Sequence, residues 1–413
     1  MKKMIVSIFA SVTLMSSVFI PLGNPVASAA AAFKDVPAGH WAKASIDAAV
    51  NKGYLKGYSD GTFRPSAPVT RAEFAAILSR VSNNEVEGGK GSFPDLSGNW
   101  SEGEVNKAIG MGFISTGDYP NGFKPSTSLT RREMSKWMAS GLAAAQEDFQ
   151  TALSDTKDTL IPVAEYYKGG LNKIDYPYVS VALGTGLMTG YEDGAFGPAK
   201  TTTRAEVATI LGRYESVQKK KATDFRDLNE MREVGLTGTN MTSLTPYKFG
   251  TDGVTGKPAD FSQVKDKEFT LRNNLGTQTI HRMIFVESGS DKKPKNLYGK
   301  MFIDKEFDWP VKGDRYHVFT EASLTPNGDN LTNLAFANAT GNLFLNGDNF
   351  ETGTSKTFGI TNLPHDDYIS SGFFKKGVTR NFWMYTSLPK TTANGKVSEG
   401  IAVNGKFTVM YLE

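Results

Sequence analysis

From Gly53 to Glu73 the chain reads GYLKGYSDGTFRPSAPVTRAE. Asp60-Gly61 supplies turn chemistry and Pro65 stops any helix from running through, so the first part is a structured loop. Thr70 followed three positions later by Glu73 is a capping box, in which the Thr hydroxyl takes the N3 amide and the Glu reaches back to the N-cap amide. A helix therefore starts at Arg71. Beyond it Phe74, Ile77, Leu78 and Val81 fall on one helical face, and before the loop Ile46, Ala49, Val50 and Gly53 do the same. The unit is helix, loop, helix.

The unit recurs. A second copy runs from Phe93-Pro94-Asp95-Leu96 and Asn99-Trp100 to Gly122-Phe123-Lys124-Pro125 and Thr130-Arg131-Arg132-Glu133. A third carries Gly190-Tyr191-Glu192-Asp193-Gly194-Ala195-Phe196-Gly197-Pro198 and Thr203-Arg204-Ala205-Glu206. Arg131 lies 60 residues after Arg71 and Arg204 73 after Arg131, so the third copy holds an insertion, expected around Asp158 to Asp175. Its nearest counterpart to Phe33-Lys34-Asp35-Val36 is Leu153-Ser154-Asp155-Thr156. Two helices this short cannot enclose their apolar stripe alone. The three second-helix faces are expected to pack together in a pseudo-threefold bundle.

Arg71, Arg131 and Arg204 each stand at the first helical position, where a cation opposes the helix macrodipole. Repeated three times, this calls for compensation. A bound carboxylate or phosphate would supply it, attracted by free amides, the positive helix end and the forked guanidinium. An ion pair with Asp35, Asp60, Asp95 or Asp193 would supply it equally well. Trp41 and Trp100 form a second candidate pair: an indole can lie flat on a sugar ring, although a Trp beside apolar helical positions is more often core. The third unit has Ile174 at the corresponding place.

Composition narrows the partners. The 413 residues are 39% hydrophobic and 22% charged, enough for two or three domains, and the formal charge is only +3, which argues against a nucleic-acid binder. Between Ala30 and Glu215 there are 19 basic and 21 acidic residues, so an acidic polymer would be held in pockets and not by a diffuse field. The absence of cysteine excludes disulfides, thiolate catalysis and Cys-ligated zinc. Lys2-Lys3, an apolar run from Met4 to Ile20 and Ala27-Ser28-Ala29 read as a secretory signal over residues 1–29. No later stretch is apolar enough to span a bilayer.

The copies resemble the S-layer homology (SLH) domain, whose pattern runs Phe-x-Asp-Val, His-Trp-Ala, Gly-Tyr-x-Asp-Gly-Thr-Phe-x-Pro and Thr-Arg-Ala-Glu. Residues 33–82 match nearly throughout. Residues 93–142 keep both ends but have Gly117-Asp118-Tyr119-Pro120-Asn121-Gly122 in the loop, and residues 150–215 keep the loop and the Arg corner. The resemblance implies an α-helical three-repeat bundle that binds acidic, pyruvylated secondary cell-wall polysaccharide in grooves between units. It implies a polysaccharide-binding set of Arg71, Arg131, Arg204, Trp41, Trp100, Asp60, Gly61, Asp193 and Gly194. It further implies a secreted protein in the cell wall or S-layer of a Gram-positive-type bacterium, and self-association in a surface lattice.

After Tyr214 the run Lys219-Lys220-Lys221 and the polar residues to Asn229 read as a solvated linker over 216–229. Residues 230–413 change character. Met283-Ile284-Phe285-Val286, Tyr316-His317-Val318-Phe319 and Phe407-Thr408-Val409-Met410-Tyr411 alternate with Asn-Gly turns at Asn327, Asn346, Asn394 and Asn404, the language of an all-β, sandwich-like domain. His281, His317 and His365 share no metal-ligand spacing, and no protease or esterase motif is present. Leu388-Pro389-Lys390-Thr391-Thr392 lacks the Gly of a sortase signal. No catalytic residue, metal or cofactor is read from the sequence, which points to a structural surface protein. The rival readings are an SLH-tethered enzyme acting on glycans, which needs two facing carboxylates, and a surface adhesion module.

Overall fold

The computed structural model describes residues 33–84 and 92–412, apart from 252–255, 257–258, 290, 292, 308–313, 330, 341–346, 365–371, 392–396 and 404–405. The signal segment over 1–29, His365 and the Asn394 and Asn404 turns thus lie outside the described residues.

All three capping boxes form, with the Thr70, Thr130 and Thr203 hydroxyls accepting from the amides of Glu73, Glu133 and Glu206. They open helices α2 (Arg71–Val81), α4 (Arg131–Ala145) and α8 (Arg204–Val217). The first helices of the units are α1 (Lys43–Asn51), α3 (Glu102–Gly110) and α7 (Tyr176–Gly184). Each first helix lies against the second helix of the preceding unit, α3 on α2, α7 on α4, and α1 back on α8. This closes the ring more than direct packing of the three second helices does.

At the centre, main-chain bonds run in a cycle. Leu129 N donates to Val69 O (2.8 Å), Val69 N to Thr202 O (3.0 Å) and Thr202 N to Leu129 O (3.2 Å). The next amides run round the ring in the opposite sense: Arg71, Arg131 and Arg204 N donate to Thr127, Lys200 and Ala67 O, and Ala72, Arg132 and Ala205 N to Pro125, Pro198 and Pro65 O. The first two helical amides of every second helix are therefore satisfied by the neighbouring unit. Phe74, Met134, Trp137, Val207 and Tyr214, all buried, fill the interior below.

The extra length of the third unit forms α5 (Glu147–Asp155) and the short α6 (Glu165–Lys168). Helix α5 packs on both α4 and α7. The expected linker is not a hinge. Helix α8 runs on to Val217, and α9 (Arg226–Thr237) follows, packed on α5 and α7 with Leu228, Met231 and Val234 fully buried. The lysine run is on the outside, but Ala222 beside it is buried and its amide donates to Asp148 (2.5 Å). Composition missed this because only one face of the segment is polar. At Gly184 an added methyl would stand 2.6 Å from Leu228 Cα. Gly184→Ala should therefore cost about 1–3 kcal/mol by prying α7 from α9, despite a helix-propensity gain of about 1 kcal/mol; a denaturation midpoint at or above wild type would refute this.

The second half contains two antiparallel sheets. After α10 (Met241–Leu244), strands β2 (Glu268–Thr270), β3 (Gly276–Val286), β4 (Arg315–Pro326) and β5 (Arg380–Pro389) pair in chain order, and β1 (Lys248–Phe249), β7 (Lys406–Leu412) and β6 (Val397–Val403) form the other sheet in the order β1-β7-β6. Helices α11 (Asn333–Thr340) and α12 (Gly353–Phe358) lie in the β4–β5 connection. Met283, Phe285, Val318 and Met384 join the core that includes Ile401 and Met410 of the second sheet. The opposite face, Ile284, Val286, Phe319, Trp383 and Tyr385, joins the core of the helical half. The central strands read as continuous apolar runs because both their faces are buried. Leu388-Pro389 ends β5 with Leu388 buried, as an internal strand and not a sorting signal.

Candidate functional site

Each corner arginine leaves its own unit and enters the loop of the next. Arg71 donates to Phe123 O (2.8 Å) and Glu133 Oε1 (2.7 Å), with its guanidinium 4.8 Å from the Tyr119 ring centre. Arg131 donates to Phe196 O (2.7 Å) and Thr189 O (2.6 Å), facing Tyr191 at 4.8 Å. Arg204 donates to Phe63 O (2.8 Å) and Lys56 O (2.6 Å), facing Tyr58 at 5.0 Å. Arg131 and Arg204 are only 5% and 6% exposed, and burial pushes both guanidinium pKa values down from their usual range.

These contacts correct the sequence argument. The helix-end amides that an anion would need are all engaged, and compensation for the misplaced cations comes from the protein's own carbonyls and aromatic rings. Of the expected ion pairs with Asp35, Asp60, Asp95 or Asp193, none forms at these corners. Arg71 pairs with Glu133, and the other two have carbonyl partners. The arginines are locks between units, a role hidden in the sequence because every partner carbonyl lies 52 to 148 residues away.

A second set of braces ties the start of each unit to its loop. Asp35 accepts from Phe63 N (2.8 Å) and Arg64 N (2.7 Å), and Asp95 from Phe123 N (3.0 Å) and Lys124 N (2.7 Å). Burial works against both carboxylates, but the paired amides hold their pKa values below the usual range. In the third unit Glu165 does this, accepting from Phe196 N (2.9 Å) and Gly197 N (2.8 Å). Asp155 instead pairs with Arg232. Counting 28 residues back from the loop Phe finds Asp35 and Asp95, but in the third unit it lands on Lys168, three residues past Glu165.

The loop residues Asp60 and Asp193 are exposed. Asp60 accepts from the Thr62 hydroxyl and amide and pairs with Arg64 (3.1 Å), which hold its pKa at about 2. Asp193 accepts from Ala195 N (3.0 Å). Gly61 and Gly194 take positive φ, +80° and +76°, as their turns demand.

Trp41 and Trp100 are not core. Each is 66% exposed, and Ile174 at the same place in the third unit is 72% exposed. All three stand two residues before the first helix of their unit, ahead of the buried stripe that starts at Ile46, Val105 and Val179. Two of the three loop corners carry exposed cations, Arg64 and Lys124, in the left-handed region at φ +57° and +54°. That backbone costs of order 1 kcal/mol for a residue with a side chain, and the Asp35 and Asp95 braces hold it in place. A groove of about 240 Å³ runs between α1 and α8, floored by Ala48, Ala208 and Gly212, with Lys52, Tyr54 and Glu215 also lining it. Among the described residues no group of three or more His, Asp or Glu side chains could hold a metal ion, and no helix is long and apolar enough to cross a membrane.

Residues 32–75, 92–135 and 171–208 match the family model of the S-layer homology domain. The N-terminal half carries three SLH repeats. An S-layer protein of Bacillus licheniformis is 28% identical over 315 residues, 74% of this chain and 31% of the relative. S-layer protein EA1 of Bacillus anthracis is 28% identical over 240 residues, 56% of this chain and 26% of its own length. The chain thus spans less than a third of these relatives. Similarity also reaches a protein of a different printed activity: an exoglucanase of Acetivibrio thermocellus, XynX, is 30% identical over 173 residues, 42% of this chain and 15% of the enzyme.

Proposed function

We propose that this is a cell-surface protein of a Gram-positive-type bacterium, held non-covalently to the wall by its SLH repeats and displaying the β-rich half as a structural S-layer component. The ligand class is an acidic secondary cell-wall polysaccharide. The observation that carries the reading is the repetition of an exposed indole, Trp41 and Trp100, at one place in successive SLH repeats. An exposed indole is costly to leave in water and suits a sugar ring. In the same two units the exposed Lys124 ammonium, and the half-exposed Arg64 guanidinium in its pair with Asp60, offer donors to acidic groups on the polymer. The similarity to two Bacillus S-layer proteins supports a structural role over an enzymatic one. The full chain should sediment with purified wall sacculi and stay in solution with sacculi stripped of their secondary glycopolymer. Equal sedimentation with both would exclude that polymer as the ligand.

A further inference from the structure

The three repeats are not equivalent, and the third departs from the other two at the exposed positions. Where units one and two present Trp41 and Trp100, unit three presents Ile174, which has no flat aromatic face. Where they expose Arg64 and Lys124 at the loop corner, unit three has Gly197, and both Gly197 and Pro198 are buried. The brace residue is changed as well. Glu165 opens α6, and the two tyrosines after it bind the β half: Tyr166 OH accepts from Arg282 Nη2 (2.9 Å), and Tyr167 OH donates to Glu321 (3.2 Å) and accepts from Trp383 Nε1 (3.1 Å). One side of the turn packs on the β half, since a methyl added at Gly194 would come within 2.7 Å of the Phe358 ring of α12, while Asp193 stays exposed. In unit one the corresponding Gly61 faces only the flexible end of Lys34.

We infer that units one and two make the polymer contacts, whereas unit three has lost the indole and the loop-corner cation and gives the α6 and turn side of its loop to contact with the β half. Wall binding is then bivalent, and the β half is held at a fixed orientation to the wall. This rests on the proposed wall-polymer reading and adds the valency and the residues. Two linked weak contacts gain avidity from effective concentration, so losing either one costs far more than half of the binding.

The test is sedimentation of the full chain with purified sacculi, using Trp41→Ala, Trp100→Ala, the double variant and Ile174→Ala, all at exposed positions where folding is checked by circular dichroism. Each single Trp variant should weaken binding at least tenfold and the double variant should abolish it, while Ile174→Ala stays within twofold of wild type. If Ile174→Ala weakens binding as much as Trp41→Ala, three equivalent faces exist and the inference falls. Binding indifferent to both tryptophans also overturns it. Failure of the wild type to sediment refutes the wall-binding reading itself, a result distinct from either.

Discussion

Arg131→Ala and Arg204→Ala are each expected to destabilise the helical half by about 3–5 kcal/mol. Each substitution leaves two carbonyls that lose a charged donor, Phe196 O and Thr189 O in one case, Phe63 O and Lys56 O in the other. A buried acceptor left unmet costs about 1–3 kcal/mol, and the ring contacts and side-chain volume are lost with it. Lys cannot replace the fork, because a single ammonium does not reach two carbonyls in the plane that a guanidinium spans. Arg71→Ala should cost less, since Arg71 and Glu133 retain 15% and 16% side-chain exposure and water can enter. Denaturant titration followed by Trp137 fluorescence would rank the three. An order in which Arg71→Ala is the most damaging would contradict the assigned roles. This ranking also bears on function: weakened wall binding in an Arg131 or Arg204 variant must be separated from loss of the ring before it is read as loss of a ligand contact.

The second large effect is a pH dependence set where the two halves meet. Glu230 of α9 is fully buried, and its Oε2 accepts from Asn240 Nδ2 (2.9 Å) and Asn296 Nδ2 (2.8 Å). Burial outweighs these two bonds and pushes its pKa up to about 7. A carboxyl raised in the folded state binds its proton more tightly there than when unfolded. Its contribution to stability is therefore complete below pH ~4.5 and is lost as the pH rises to about 7. The shift corresponds to roughly 3 kcal/mol. Glu230→Gln keeps an acceptor for both asparagines and removes the charge, so it should stabilise the protein by up to that amount at pH 8 and leave it nearly unchanged at pH 4.

His317 works in the opposite direction. It is buried between Ser288 Oγ (2.9 Å) and Tyr385 OH (3.1 Å), and burial, with Lys390 and Arg315 nearby, pushes its pKa down to about 4. Its stabilising contribution is present above pH ~6.5 and is lost as the pH falls to about 4. The wild type should be most stable between these limits, and Glu230→Gln should move the optimum upward. Thermal unfolding across pH 4–8 tests this directly, and an unchanged optimum in Glu230→Gln would refute it.

Short-range chemistry made much of the fold legible. Thr and Glu three residues apart mark a helix start, so the three capping boxes, the loops before them and the apolar faces from Phe74 to Val81 and from Val207 to Tyr214 follow from the sequence. Short apolar segments set between turn residues likewise mark the second half as a β domain, and it holds two antiparallel sheets. The same local logic could not say whether Trp41 is core or surface, since it stands ahead of its helix and off the periodic stripe.

Contacts between distant segments decided the rest. The sequence by itself determined where the second helix of each unit begins, because a capping box closes within four residues. Only the tertiary structure decided what the corner arginines do, because their carbonyl partners come from the next unit in the ring. It also decided that the segment after Lys221 is a packed helix, since a strip of polar residues covers a buried face of Leu228, Met231 and Val234. And it set the third repeat apart from the other two, because its distinguishing partners, Phe358, Arg282 and Trp383, belong to the other half of the chain.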